Sequence, residues 1–143
     1  MAELISSILP HPRRPIAFVE PQVSVCDCVT LMTDKDIGAL VVRDNNELLG
    51  IVSERDIVRS CLNKNLLPEQ VTAADIVYKD VSILAVNDTV EKAMEVITQT
   101  KRRHVLVKDK DELVAIISIG DVLFHLLEGK SRVIEHLENY IHM

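Results

Sequence analysis

The strongest constraint on this chain is an internal duplication. From Ile16 to about Arg59 the sequence lies over Val81 to Phe124 without a gap, at a constant offset of 65 residues. A fold that satisfies one half must therefore satisfy the other. The most informative stretch is Gly50-Ile51-Val52-Ser53-Glu54-Arg55-Asp56, echoed by Ala115-Ile116-Ile117-Ser118-Ile119-Gly120-Asp121. In both copies an apolar run stops at a serine, and an aspartate follows three positions later as helical apolar spacing begins.

Such a corner has two uses. The serine can cap the first turn of the helix, and the aspartate suits the positive end of its dipole. Alternatively, the hydroxyl and free N–H groups face a phosphate while the carboxylate accepts from the two hydroxyls of a ribose. A single corner is accounted for by capping. Two corners in register favour the ligand.

The rest of the repeat predicts strand, helix, strand, strand, helix in each half. Ile16-Ala17-Phe18-Val19 and Val81-Ser82-Ile83-Leu84 read as short first strands, followed by helices that begin after Ser24 and Thr89. Their apolar stripes are Val25, Cys28, Val29 and Met32 against Val90, Ala93, Met94 and Ile97, which read as packing surfaces. Strands Ala39–Val42 and His104–Val107 then turn at Asp44-Asn45-Asn46-Glu47 and Asp109-Lys110-Asp111-Glu112. The expected organisation is a lead-in over 1–15, a first repeat over 16–62, a linker over 63–72, a second repeat over 73–128 and a C-terminal helix over 129–143. The lead-in holds three of the five prolines and allows a short helix at Ala2 to Leu9. In the tail, Val133, Ile134, Leu137, Tyr140 and Ile141 share one helical side, which either packs on its own domain or forms part of a dimer contact.

Charge and composition narrow the function. A net charge of −6, from 22 acidic and 16 basic residues, opposes broad attraction to nucleic acid or to an anionic membrane. No apolar run approaches the length of a membrane span, and the order of charge and apolar residues up to Pro15 is the reverse of a secretory signal, so a cytoplasmic protein is expected. Cys26, Cys28 and Cys61 are too few and too irregular for a disulfide framework or a zinc site, and no metal is expected.

The ungapped duplication, the element order and the two serine-aspartate corners resemble a pair of cystathionine-β-synthase (CBS) domains, over roughly Ile16 to Glu128. Ser118-Ile119-Gly120-Asp121 and the tail further resemble small stand-alone CBS-pair proteins of bacteria and plant organelles. The resemblance implies an α+β Bateman module with pseudo-two-fold symmetry and two clefts for adenosine-containing ligands. It favours AMP or NAD, with ADP, ATP or S-adenosylmethionine as further possibilities, bound to regulate rather than to react. By motif position, Asp121 would hold the ribose and Ser118 the phosphate in one cleft, with Asp56 and Ser53 doing so in the other.

The two copies differ in charge. Lys101-Arg102-Arg103-His104 stands where the first half has Asp36-Ile37-Gly38-Ala39. Arg103 and His104 resemble the family's Arg-His element and are expected at phosphate oxygens, the alternative being a solvated basic turn. Arg55 is a further anion candidate, and the adenine is expected against backbone and aliphatic walls near Val81, Ile83 and Val105. Val41 and Leu106 replace a proline frequent in the family, Ala115 replaces the glycine kept as Gly50, and Val77 stands where a methionine is common.

No phosphate loop, paired-histidine metal motif or nucleophile elbow occurs, so an enzyme is not expected. The expectation is a homodimeric adenine-nucleotide sensor of energy or redox state that acts on a protein partner. The alternative is a ligand-independent dimerising platform, for which the plant relatives suggest thioredoxin-type partners.

Overall fold

Both halves of the duplication fold into a three-stranded sheet covered by helices. The computed structural model describes residues 3–129, and the expected C-terminal helix therefore lies outside the described residues apart from its first position. The first half forms β1 (Phe18–Val19), α1 (Val25–Lys35), β2 (Ala39–Asp44), β3 (Glu47–Ser53) and α2 (Glu54–Ser60), followed by the short α3 (Ala73–Ile76). The second forms β4 (Ile83–Ala85), α4 (Val90–Thr100), β5 (His104–Asp109), β6 (Glu112–Ser118) and α5 (Ile119–Gly129). In each sheet the first strand runs parallel to the second, and the second pairs antiparallel with the third. The chain is thus α+β with the strand-helix-strand-strand-helix order in both halves.

Local chemistry repeats along with topology. Ser24 Oγ accepts from the Asp27 N–H at 3.1 Å to start α1, and Thr89 Oγ1 accepts from the Lys92 N–H at 3.1 Å to start α4. Both helices end in a left-handed residue, Asp36 or Lys101. The hairpins turn through Asn45 and Lys110, each at positive φ. One bulge recurs at the same offset: Leu49 is skipped between the pairs Val42–Gly50 and Arg43–Leu48, and Val114 between Val107–Ala115 and Lys108–Leu113. Val25, Cys28 and Met32 are buried on α1, and Val90, Ala93 and Ile97 on α4. Val29, expected in the stripe, is 41% exposed at its edge.

Packing divides the chain at other places than the repeat does. One compact unit is Pro15–Val81, and the other joins the residues up to Arg14 to those from Ser82 onward. In the first unit the N–H groups of Ala73 and Ala74 donate to the carbonyls of Val23 (2.8 Å) and Pro21 (2.9 Å), while the Val25 N–H donates to Val71 (2.7 Å). In the second, Ile5 and Ser6 donate to Asp88 and Val86 (both 2.9 Å), and Val90 donates to Glu3 (2.8 Å). The two sets correspond bond for bond. The lead-in, which forms a 3-10 turn at Ile5–Ser7, is therefore the structural counterpart of the Val71–Ile76 segment.

These segments complete the cores. Ala73 and Ile76 lie with Val19, Leu40, Val42, Val52 and Ile57 in the first unit's core. Ile5 and Leu9 lie with Leu84, Val105, Val107, Ile117 and Val122 in the second's. Cys28 and Cys61 are fully buried in the first core, and burial, aided by the Asp27 carboxylate, raises the Cys28 thiol pKa. Such thiols behave as packing groups.

Gly50 has its own reason. Its φ is +155°, and a Cβ there would collide with the Tyr78 carbonyl, whose residue bridges to Ile51 through paired backbone bonds of 3.1 and 3.0 Å. The glycine lets the segment after α3 lie against β3. Ala115, its counterpart, is half-buried against the second core.

Two outcomes follow for stability in urea. Ile5→Ala is expected to cost about 2–5 kcal/mol, as for a deleted core side chain, and Leu4→Ala at its 40% exposed neighbour under about 1. Gly50→Ala is expected to cost about 2 kcal/mol or more through backbone strain and the Tyr78 collision, whereas Ala115→Gly costs about 1 through backbone entropy.

Candidate functional site

Each corner is assembled by strand register. In the second unit, His104 at the start of β5 lies opposite Ser118 at the end of β6. The Ile119 N–H donates to the Arg103 carbonyl at 3.1 Å, which ties the residue before β5 to the first turn of α5. The Ser118 N–H donates to Asp121 Oδ2 at 2.8 Å, and the Asp121 N–H returns a bond to Ser118 Oγ at 3.1 Å. Arg103, His104, Ser118 and Asp121 are thereby brought to one end of one sheet.

This arrangement keeps acceptor capacity in reserve. The reciprocal bonds engage one carboxylate oxygen of Asp121, and a carboxylate has about four lone-pair sites. Asp121 and Arg103 are exposed, whereas His104 and Ser118 are half-buried. Gly120, between the two engaged first-turn N–H groups, is exposed, and a Cβ there would meet Ser118 Oγ at an ordinary 3.5 Å. A ring of donors and acceptors around an exposed helix start suits a ligand that carries both vicinal hydroxyls and an anion.

The first unit has the same skeleton with a different finish. Ala39 lies opposite Ser53, and the Glu54 N–H donates to the Gly38 carbonyl at 3.0 Å. The Ser53 N–H donates to Asp56 Oδ2 at 2.8 Å, and the Asp56 N–H donates to Ser53 Oγ at 3.3 Å. Here the serine hydroxyl also donates to Asp56 Oδ2 at 2.7 Å, and Ser53 is only 7% exposed. Arg55 points from an exposed position on the first turn of α2.

The expected adenine walls are more scattered. Ile83 on β4 is 43% exposed and pairs with Leu106. Val81 is half-buried at the end of the first unit. Val105 is fully buried in the second core, so it supports the sheet below the corner and presents no surface of its own. Glu54, which sequence reading passed over, lies across Gly38. Between the serine and the aspartate the two corners differ at both positions, Glu54 against Ile119 and Arg55 against Gly120, and the first of these is the trace it leaves in the sequence. Among the described residues no group of three or more His, Cys, Asp and Glu side chains is placed to hold a metal ion. No helix among them is long and apolar enough to cross a membrane.

A family model for the CBS domain matches residues 5–63 and 73–128, and the chain belongs to the CBS-domain family. The mitochondrial CBS domain-containing protein CBSX3 of Arabidopsis thaliana is 30% identical over 124 residues, covering 82% of this chain and 60% of that protein. The chain thus spans about three-fifths of the length of such curated relatives. Among solved structures, a CBS-domain protein of Burkholderia ambifaria described in terms of signal transduction superposes with a TM-score of 0.81. It is 30% identical, with 87% of this chain and 91% of that one covered. A hexameric CBS-CP12 protein from bloom-forming cyanobacteria superposes at 0.78 with 27% identity, covering 87% and 68%. The chain carries a tandem pair of CBS domains.

Proposed function

We propose that this CBS pair binds an adenine nucleotide at the corner formed by Ser118, Asp121, Arg103 and His104, and that occupancy regulates a protein partner. The supporting observation is the exposed Asp121 carboxylate, with one oxygen engaged in holding the helix start, in a corner that also carries Arg103. In this reading the carboxylate receives the ribose hydroxyls, and Ser118, the α5 N-terminus and Arg103 receive phosphate oxygens. His104 borders the same site, and Ile83 supplies an apolar edge for the base. AMP and NAD are the favoured ligands. The protein acts in the cytoplasm as a non-catalytic sensor of energy or redox state.

A second copy of the chain is the proposed partner for the outer faces of α5 and of α2 with the 3-10 turn Leu62–Lys64 that follows it. Val58 and Leu62 are 55% and 50% exposed in the first unit, and their counterparts Leu123 and Leu127 are 45% and 47% exposed in the second. Phe124 adds a large apolar side chain at 64% exposure. Apolar residues at matching positions of both repeats suit a symmetric contact. The same faces support the competing reading of a ligand-independent platform.

Thermal stability with AMP, ADP, ATP, NAD, NADH and S-adenosylmethionine separates the two. A ligand at about one hundred times its dissociation constant adds roughly 2.7 kcal/mol. The expected result is a selective shift that is lost in Asp121→Ala. Gly120→Ala, which meets nothing closer than 3.5 Å, is expected to keep or raise the unliganded stability while weakening the shift. No shift with any ligand in folded, ligand-free protein would favour the platform. Light scattering should give twice the chain mass for the wild type, falling to one chain mass in Leu123→Glu/Leu127→Glu; a wild-type monomer would remove the dimer.

A further inference from the structure

The two corners share a backbone, yet at one pair of contacting positions they carry opposite charges. Gly38 and Arg103 are counterparts at the offset of 65, as are Glu54 and Ile119. In the first unit the Glu54 side chain reclines over Gly38, so closely that a Cβ on the glycine would lie 2.5 Å from Glu54 Oε1. The carboxylate therefore occupies space next to the residue whose counterpart in the second unit is the exposed arginine. In the second unit the position of Glu54 is taken by Ile119, which packs against the core.

Three further features point the same way. The Ser53 hydroxyl is spent on Asp56, and Ser53 is 7% exposed, whereas among the described bonds Ser118 Oγ accepts from Asp121 without donating to its carboxylate. Asp56 and Glu54 place two carboxylates on one short first turn, where the second copy has one. Among the described residues no ion pair joins Arg55 to either of them. An anion entering this corner would meet a carboxylate where its counterpart site offers a guanidinium. Discrimination by a repulsive group can exclude a ligand as effectively as attraction can select it.

We infer that Glu54 closes the first corner to phosphate, so that the chain takes one adenine nucleotide, at the second corner. Glu54 is a specificity-determining residue, and the first corner serves as a helix cap. This inference rests on the nucleotide reading above and adds to it a stoichiometry and a cause.

Isothermal titration of the full chain with AMP, ATP and NAD in turn tests both. One equivalent per chain is expected, weakened about tenfold or more by Arg103→Gln, the loss of one charge-assisted contact. Asp56→Asn should leave it unchanged. Arg103 is exposed, so its substitution leaves the fold intact. Gly38→Arg/Glu54→Ile, which gives these two positions the residues of their counterparts in the second corner, is expected to add a second equivalent. Two equivalents in the wild type, or one that is lost in Asp56→Asn and kept in Arg103→Gln, would overturn the inference while the nucleotide reading survives. A double variant that still binds one equivalent would remove Glu54 as the cause. No binding of any of the three nucleotides by folded wild type would remove the nucleotide reading and this inference with it.

Discussion

Backbone hydrogen bonds to a segment outside its own repeat hold each helix-capped sheet closed. Val25 donates to Val71 and Val90 to Glu3, and around these bonds Ala73 and Ile5 enter their cores with no exposed surface. Both interactions matter because a three-stranded sheet whose two helices share one core with it has too little apolar area to be left open at the edge. The segment supplies core volume and backbone partners together. Gly50 is a consequence of the same closure, since it makes room for the chain that continues from α3.

On this frame the corners are fixed by register before any ligand is considered. Pairing of Ala39 with Ser53 and of His104 with Ser118 sets where each helix begins, and the aspartate three residues on completes the cap. Chemistry is then added by side chains that the frame does not need. Arg103 and Gly38 donate nothing to the sheet through their side chains, and Glu54 and Ile119 differ without altering the backbone bond each makes to the carbonyl before its strand. Duplication supplied two equal scaffolds, and substitution at such positions allowed them to diverge.

Much of this was legible in the sequence because it is local. Period, capping serines and turn residues act within a few positions, so the element order, both helix starts and both hairpins could be read directly. The corner residues came from the same local pattern. The partition of the cores could not be read, because it depends on pairing between distant segments. Glu3-Leu4-Ile5-Ser6 and Val71-Thr72-Ala73-Ala74 occupy matching places, yet share no residue and stand 68 apart instead of 65. The burial of Val105 was missed for a related reason: alternation along a strand buried on both faces does not reveal which side faces a ligand. Glu54 was overlooked since its effect arises from where the side chain reclines, and spacing alone carries no such information.

The interlaced closure also sets an order of events during synthesis. Pro15–Val81 is continuous, so every group its core requires has been made before the second sheet exists. The other unit joins residues made before that stretch to residues made after it, as the 2.7 Å contact between Glu3 and His125, 122 positions apart, illustrates. Its opening segment, with Ile5 and Leu9, must stay unburied until Val122 is available. The half that carries Asp121 therefore becomes competent after the half that carries Asp56, and Ile5 and Leu9 wait while the whole of the intervening unit is made.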